Sequence, residues 1–343
     1  MLEEADKVNW DSQENLKRMF ADRTKGEAYA LRGLFMYYLL RAHGGWSEDG
    51  TLLGVPIWKE SVGIDADFNR SRATFEECMK QMYDDFKSAE EYLPLDFDNI
   101  DSDADVPAKY SGISKGDYNR VFGINSRLRL TKRIVEGIRA RAALMAASPA
   151  YADGNTTTWE DAANYAAQVL DRIGGISGLD KENGLTWYNN QTEIDGLGEG
   201  SNPKEILWRN GIESNHSIES DNYPPTLYGN GRINPTQNLV DAFPMANGYP
   251  ITDTENSGYV ATNPYEKRDP RLAKYIIFNG STMGPLGKTI TTVGSSTNDG
   301  VNQTETSTRT RYYMRKLLRE DVNLDPLTTN EQKHYIPHIR YTE

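Results

Sequence analysis

The stretch ARAALMAASP, residues 140–149, decides how this chain folds. Ala140, Ala142, Ala143, Ala146 and Ala147 crowd the end of a helix whose pattern starts near Lys132. Small side chains let a neighbouring helix approach closely, so this helix is expected to lie centrally. Ser148-Pro149 stops it, because proline has no amide hydrogen to continue the turn. A second helix is predicted from Trp159 to about Ile173. It carries Ala162, Ala163, Ala166, Val169 and Leu170 on one side, and Gly174-Gly175 end it. The two form an antiparallel hairpin of about 40 residues, close to the ~34-residue period of tetratricopeptide units.

An earlier pair has the same form. GEAYALRGLFMYYLLRAH, residues 26–43, sets Ala28, Leu31, Phe35, Tyr38 and Leu39 at helical spacing before Gly44-Gly45. Thr74 with Glu77 three residues on is a capping box. Phe75, Met79, Met82, Tyr83 and Phe86 carry that helix to Tyr92-Leu93-Pro94. These two helices read as a second hairpin with a long insertion, and residues 94–118, acidic and turn-rich, read as an irregular connection. After about residue 175 Gly, Asn, Ser, Thr and Pro dominate, with strand-like pieces at 205–208, 275–278 and 311–318. Residues 288–308 carry no large side chain except Ile290 and are expected to be mobile. The fold class is therefore mainly α: tetratricopeptide-like helical hairpins, an α-α superhelix, supporting a large loop-rich region with short strands. Residues 1–175 form the helical part and 176–343 the loop-rich, ligand-facing part of a single domain.

Composition narrows the function. With 343 residues the chain can bury a sizeable core, and its mean hydropathy of -0.69 implies a polar surface with abundant loops. The 20 Tyr argue against disorder. Each joins a ring that stacks to a hydroxyl that hydrogen-bonds, which suits a surface for sugars or peptides as well as a helical core. A net charge of -12 argues against nucleic acid, since neutralising phosphates needs clustered Lys and Arg. No apolar run reaches the ~20 residues of a membrane helix. The first twenty residues show neither the basic start nor the apolar centre of a signal peptide. Cys78 stands alone, which excludes an internal disulfide and a cysteine zinc site.

A second informative stretch is LVDAFPMANGYPITDTENSGYVATNPYEKRDPR, residues 239–271. It joins turn residues to aromatics, and in Arg268-Asp269-Pro270-Arg271 a carboxylate beside two arginines can form a bidentate pair that pins the loop. Taken in order, five pieces resemble the SusD/RagB family of outer-membrane nutrient-binding proteins. They are Gly26-Glu27-Ala28 through Leu31-Arg32 to His43-Gly44-Gly45 and Val55-Pro56; the Tyr92-Leu93-Pro94 helix end; and Ala140 to Pro149 with the Trp159 helix. Then come Asn263-Pro264-Tyr265 with Arg268 to Arg271, and last Tyr313-Met314-Arg315-Lys316 with Ile339-Arg340-Tyr341-Thr342-Glu343. The resemblance implies helix pairs cradling a loop-rich ligand region, and capture of glycans or peptides without cleavage. It implies a SusC-like TonB-dependent outer-membrane transporter as partner, and a surface location with a lipid anchor in the full-length parent. On that comparison the chain is expected to be a fragment lacking the lipidation segment and the C-terminal helices, with Ile339-Arg340-Tyr341 opening another long helix.

The expected ligand contacts are aromatic. Trp46, between Gly45 and Ser47, can stack on a pyranose face, with Glu48 and Asp49 near it to accept sugar hydroxyl protons. Trp58, beside Pro56-Ile57, reads as a core residue. Tyr223 and Tyr228 flank a stiff Pro224-Pro225, and Asn230-Gly231-Arg232 adds amide and guanidinium donors on a tight turn. Trp46, Tyr223, Tyr228, Asn230 and Arg232 are thus the expected oligosaccharide-binding residues. No cofactor or metal is expected. The Asp101, Asp103 and Asp105 run starts like a calcium loop, but Val106 replaces its glycine and Gly112 its closing glutamate. His334 and His338 have Pro337 between them, which spoils a helical ligand pair. Asp84-Asp85 and Glu90-Glu91 are neighbours on a helix and point apart. The chain is accordingly read as a cell-surface glycan-binding protein and not an enzyme. A peptide-capturing member of the same family is the alternative, with an inverting glycosidase, which needs carboxylates roughly 6.5–9.5 Å apart across a cleft, behind it.

Overall fold

The computed structural model describes residues 2–343. Its helices are α1 (Glu14–His43), α2 (Phe75–Tyr92), α3 (Lys115–Phe122), α4 (Lys132–Ala146), α5 (Trp159–Asp171), α6 (Gln191–Gly196), α7 (Ser217–Asn222), α8 (Gln237–Ala242) and α9 (Pro270–Tyr275). The strands are short: β1 (Gly45–Trp46), β2 (Leu52–Leu53), β3 (Ile206–Arg209), β4 (Glu213–Asn215), β5 (Ile276–Ile277), β6 (Thr282–Met283), β7 (Lys288–Thr289), β8 (Tyr313–Met314), β9 (Gln332–His334) and β10 (Pro337–Arg340). They pair two by two and antiparallel: β1 with β2, β3 with β10, β4 with β9, β5 with β8 and β6 with β7. The chain divides into two compact units. A helical unit runs to Leu179 and takes in Leu197–Asn210 and Pro337–Glu343; a loop-rich unit comprises Asp180–Gly196 and Gly211–Ile336.

In the helical unit α1 packs on α2, α4 on α5, and α2 on α4, the tetratricopeptide-like arrangement that the alanine pattern predicts. The buried face of α1 is not the expected one. Ala30, Leu34, Tyr37 and Leu40 enter the core, whereas Leu31, Phe35, Tyr38 and Leu39 stay exposed. α1 is apolar on both sides over this length, so hydrophobic spacing cannot choose between them. Two glycines can. A Cβ on Gly33 would stand 2.3 Å from Phe86 Cε1, and one on Gly26 2.6 Å from Leu93 Cγ, so only the glycine side admits α2 this closely. α1 also begins earlier than predicted, since Leu16 and Met19 add buried anchors to a stretch that reads as charged.

Buried charges between the helices are answered by arginine. Arg32 on α1 grips Asp85 on α2 through Nε (2.8 Å) and Nη2 (2.5 Å), and Gln81 donates to the same carboxylate at 3.0 Å. Arg139 on α4 joins Glu90 of α2 (2.6 Å) to Gln168 of α5 (2.9 Å). Glu136, fully buried, accepts from Arg172 at 2.8 Å and Gln168 at 2.9 Å. The acidic connection leads into α3, and several of its acids are engaged. Asp96 pairs with Arg133 (2.8 and 2.6 Å), Asp98 with Arg127, and Asp103 accepts from the Lys115 amide at 2.6 Å. The final residues form β10 rather than opening a helix. Ile339 pairs with Trp208 across β3 and packs with Leu207 over Gly137 of α4, so pairing captures them.

The loop-rich unit is built on small cores, two of which bear on the site. Tyr223, Leu227, Ile277, Met283, Ile290, Tyr313, Leu318 and Val322 build one, and Val240, Leu272, Ile276 and Tyr312 the other. The segment expected to be mobile is folded into the first. Tyr313 Oη donates to the Asp299 carbonyl and accepts from the Thr308 amide, both at 2.9 Å. Thr308 Oγ1 donates to the Tyr312 carbonyl at 2.8 Å, and Ile290 is fully buried. Hydroxyl groups, not bulk, hold this segment.

Gly33→Ala should lower stability by roughly 1–3 kcal/mol through overpacking against Phe86, although Ala is the better helix former. Phe35→Ala, on the outer face, should stay within about 0.5 kcal/mol of the parent. Urea unfolding followed by circular dichroism compares the two; the reverse order would place the buried face where the spacing alone put it.

Candidate functional site

Residues 239–271 act as a frame in the loop-rich unit. Arg268 is buried, and its guanidinium donates to three main-chain carbonyls: Pro264 (2.9 Å), Val240 (2.7 Å) and Phe243 (2.7 Å). It thereby ties the end of α8 to the turn before α9, with the Tyr259 ring 5.6 Å from its centre. The bidentate pair forms between the other arginine and the acid: Arg271 meets Asp269 through Nε (2.9 Å) and Nη2 (2.6 Å). Asp269 also caps α9 by accepting from the Arg271 amide at 2.8 Å. That carboxylate titrates below its ordinary range, chiefly because Arg271 hydrogen-bonds it. Tyr265 stacks on Phe278 with centroids 4.2 Å apart. The guanidiniums of Arg268 and Arg271 are thus both engaged by the chain itself.

The turn from Tyr223 to Arg232, also in the loop-rich unit, divides its two tyrosines. Tyr223 is a core residue, 1% exposed, and its hydroxyl donates to the Arg319 carbonyl. Burial pushes that phenol well above its ordinary value. It supports the turn from beneath. Tyr228 takes a left-handed conformation (φ 65, ψ 20), which turns it outward, 53% exposed. Lys288 Nζ lies 5.5 Å from its ring centre, and its hydroxyl is 3.5 Å from Asp325 Oδ2. Gly229 is required by crowding, since a Cβ there would fall 2.2 Å from the Tyr223 carbonyl oxygen.

α7 holds the far side of this turn. The Ser220 carbonyl accepts from both the amide and Nδ2 of Asn230, each at 2.9 Å. The Asp221 carbonyl accepts from the Arg232 amide at 3.0 Å, and the Asp221 carboxylate pairs with the exposed Arg232 guanidinium at 3.1 Å. Asp299, fully buried, accepts from the Thr226 amide at 2.8 Å. Tyr228, the Asn230 Oδ1, Arg232 and Asp221 therefore share one fixed, solvent-facing turn that offers a ring, donors and acceptors.

Trp46 belongs to the helical unit. It pairs with Leu52 in the β1–β2 hairpin, is 49% exposed, and donates its indole N–H to the Ala150 carbonyl at 2.9 Å. Asp49 shapes the hairpin turn by accepting from Ser47 Oγ (2.5 Å) and the Thr51 amide (3.0 Å). These bonds, the Ser47 hydroxyl first, lower its pKa. Glu48 is exposed beside it. Trp58 does not enter the core: it is half-exposed, with the Arg70 guanidinium 4.5 Å from its ring centre.

Among the described residues no three His, Cys, Asp or Glu side chains stand together in a way that could hold a metal ion. Of the adjacent acid pairs, Asp85 is held by Arg32, Asp84 by Lys80 at 2.8 Å and Glu90 by Arg139. No helix among the described residues is long and apolar enough to cross a membrane. Sequence reasoning missed the tie between α7 and β9. Fully buried Glu219 accepts from His334 Nε2 at 3.0 Å and from the Arg319 amide at 2.8 Å, partners too distant in sequence for spacing rules.

Residues 200–343 match the model of the SusD family, and residues 2–115 match a SusD-like model described as starch-binding and associating with the outer membrane. The chain belongs to the SusD/RagB family. A SusD-like protein from Bacteroides fragilis shares 19% identity with it, with a TM-score of 0.61 over 99% of this chain and 59% of that one. A SusD-like carbohydrate binding protein from the same species shares 17%, with a TM-score of 0.60 over 99% of this chain and 56% of that one. At these identities the likeness is one of fold, and the chain spans less than two thirds of either structure's length. No protein of curated function matches the sequence.

Arg268→Met should take the guanidinium donor from the Pro264 and Phe243 carbonyls, and one of two donors from Val240, and lower stability by ~2 kcal/mol or more. Asp269→Ala, which removes a cap, should lower it by about 1 kcal/mol. Chemical denaturation ranks the two, and an Arg268→Met protein as stable as the parent would remove the frame assigned to it.

Proposed function

We propose that this protein captures oligosaccharides at a cell surface without cleaving them and passes them to a SusC-like TonB-dependent outer-membrane transporter. Family membership supports a binding role, and the matching model's description as starch-binding and outer-membrane-associated supports both ligand class and location. The observation that carries the reading to particular residues is the Tyr228 turn. Its exposed ring can stack on a sugar face, while Asp221, Asn230 and Arg232 beside it offer acceptors and donors to vicinal hydroxyls. The turn is held before any ligand arrives, which limits the entropy lost on binding. Trp46 supplies a second exposed ring in the helical unit. Tyr223, expected to touch ligand, is assigned instead to holding the turn.

Native gel electrophoresis through embedded starch, xylan and host glycans tests this. Retarded migration with no released sugar is the expected result for at least one glycan. Tyr228→Ala should weaken that binding by about fivefold or more, the loss of ~1 kcal/mol or more expected for a stacking contact, with an unchanged melting temperature. Trp46→Ala should weaken it with a small loss of stability from the Ala150 hydrogen bond. Failure of every glycan together with binding of peptides would favour peptide capture. Reducing-sugar release would contradict the non-catalytic reading.

A further inference from the structure

The side chain of His334 lies between a main-chain carbonyl, which only accepts hydrogen bonds, and the Glu219 side chain, which only accepts in its carboxylate form. Its Nδ1 is 2.8 Å from the Gln332 carbonyl oxygen, and its Nε2 is 3.0 Å from Glu219 Oε1. A neutral imidazole carries one N–H and would set a nitrogen lone pair against an oxygen lone pair at one of these contacts. The geometry is therefore that of a doubly protonated ring. Glu219 has no exposed surface, and its only other donor at Oε1 is the Arg319 amide, while Oε2 has no partner. The imidazolium is the cation that answers this buried charge.

Glu219 sits in the middle of α7, and the residues on either side of the helix end do different work. Ser220 and Asp221, the next two residues, hold Asn230 and Arg232 through their carbonyls, and Asp221 pairs with the Arg232 guanidinium. The Tyr223 amide donates to the Glu219 carbonyl at 2.8 Å. One short helix thus connects the His334 contact to the exposed turn. We propose that His334 and Glu219 form a pH-sensitive latch that fixes the Tyr228–Arg232 turn while the imidazole is charged and loosens it when the proton leaves.

Of the surrounding charges, that of Arg319 opposes the imidazolium and that of Glu219 favours it. Arg319, fully buried nearby, is itself matched by Asp321 at 2.9 and 2.7 Å and lies 3.6 Å from Asp195 of α6. Lys333 donates to the Asp195 carbonyl at 3.2 Å, and Glu213 stands opposite His334 on β4 at the exposed surface. Tyr223, beside Glu219, has its phenol pushed upward by burial and stays neutral. Burial alone would lower the imidazole's pKa, but the hydrogen bond and charge of Glu219 more than offset this and raise it. A raised histidine stabilises the fold fully below its unfolded value of about 6.5, and the stabilisation is lost as pH climbs through the folded value. The latch is closed below about pH 6.5 and opens as pH climbs through the raised folded value.

That this loosening reaches ligand affinity rests on the glycan-capture reading; the latch itself does not. Hydrogen exchange of the Asn230 and Arg232 amides, corrected for intrinsic rates, measures the latch with no ligand present. Between about pH 6 and about pH 8.5 the protection of both amides should fall by roughly tenfold for each unit by which His334 is raised. In His334→Gln, whose amide donates to Glu219 without titrating, protection should be flat. Constant protection in the parent, or an equal fall in His334→Gln, would overturn the proposal. Should His334→Gln not fold, NMR of the parent's His334 ring decides: a ring neutral at about pH 6 overturns the latch, and a charged one with pH-coupled exchange supports it. Glycan affinity measured across the same range then tests the coupling to ligand; a latch that works without any glycan bound at either pH would count against glycan capture alone.

Discussion

Buried oxygen atoms set the terms for this fold, and arginine is the residue that meets them. In the helical unit the oxygens are carboxylates, Asp85, Glu90 and Glu136, each reached by a guanidinium from another helix. In the loop-rich unit many are main-chain carbonyls, because so few of its residues lie in helices or sheets that could satisfy them. Arg268 takes three of them alone. A buried carbonyl or carboxylate without a donor costs on the order of 1–3 kcal/mol or more, a large share of a domain's ~5–15 kcal/mol. The planar fork holds five N–H groups in a fixed geometry, where lysine has three on a rotating ammonium.

With its backbone satisfied in this way, the loop-rich unit can keep irregular turns rigid. Tyr223 and Tyr228 show the consequence. Five residues apart in one turn, the first is sealed in a core and the second is presented to solvent by a left-handed backbone. Rigid presentation suits a protein whose task is recognition, because little entropy remains to be lost when a ligand docks. The same economy explains the polar segment from residue 288 to 308, where Thr308, Ser307 and Asp299 do the packing that larger residues do elsewhere.

Much of this was legible in the sequence, and the failures have physical causes. α2, α4 and α5 follow from caps, breakers and alanine spacing, and their observed ends fall within about two residues of those read. α1 was legible as a helix but not in its orientation, because an all-apolar surface has no preferred side until Gly33 meets Phe86. β10 was misread as a helix start because its partner β3 lies far away in sequence. At the candidate site, aromatics between turn residues singled out the Tyr223–Arg232 turn, whose two tyrosines the fold then separates. Which tyrosine faced outward depended on one backbone angle that no side-chain pattern reports. The Glu219–His334 contact was invisible for the same reason as β10: only the folded chain brings its halves together.

We propose that glycan binds this SusD-family chain on the preset Tyr228–Arg232 turn of the loop-rich unit. Hydroxyl-radical footprinting with and without a bound glycan, with the glycan afterwards recovered and sized, tests it most directly. Protection concentrated at Tyr228 and its neighbours to Arg232, with the glycan recovered intact, is the predicted result. Protection confined to other surfaces, such as the open apolar groove of about 470 Å³ that Leu144, Trp159, Ala163 and Ala166 line in the helical unit, would contradict it. So would a shortened glycan.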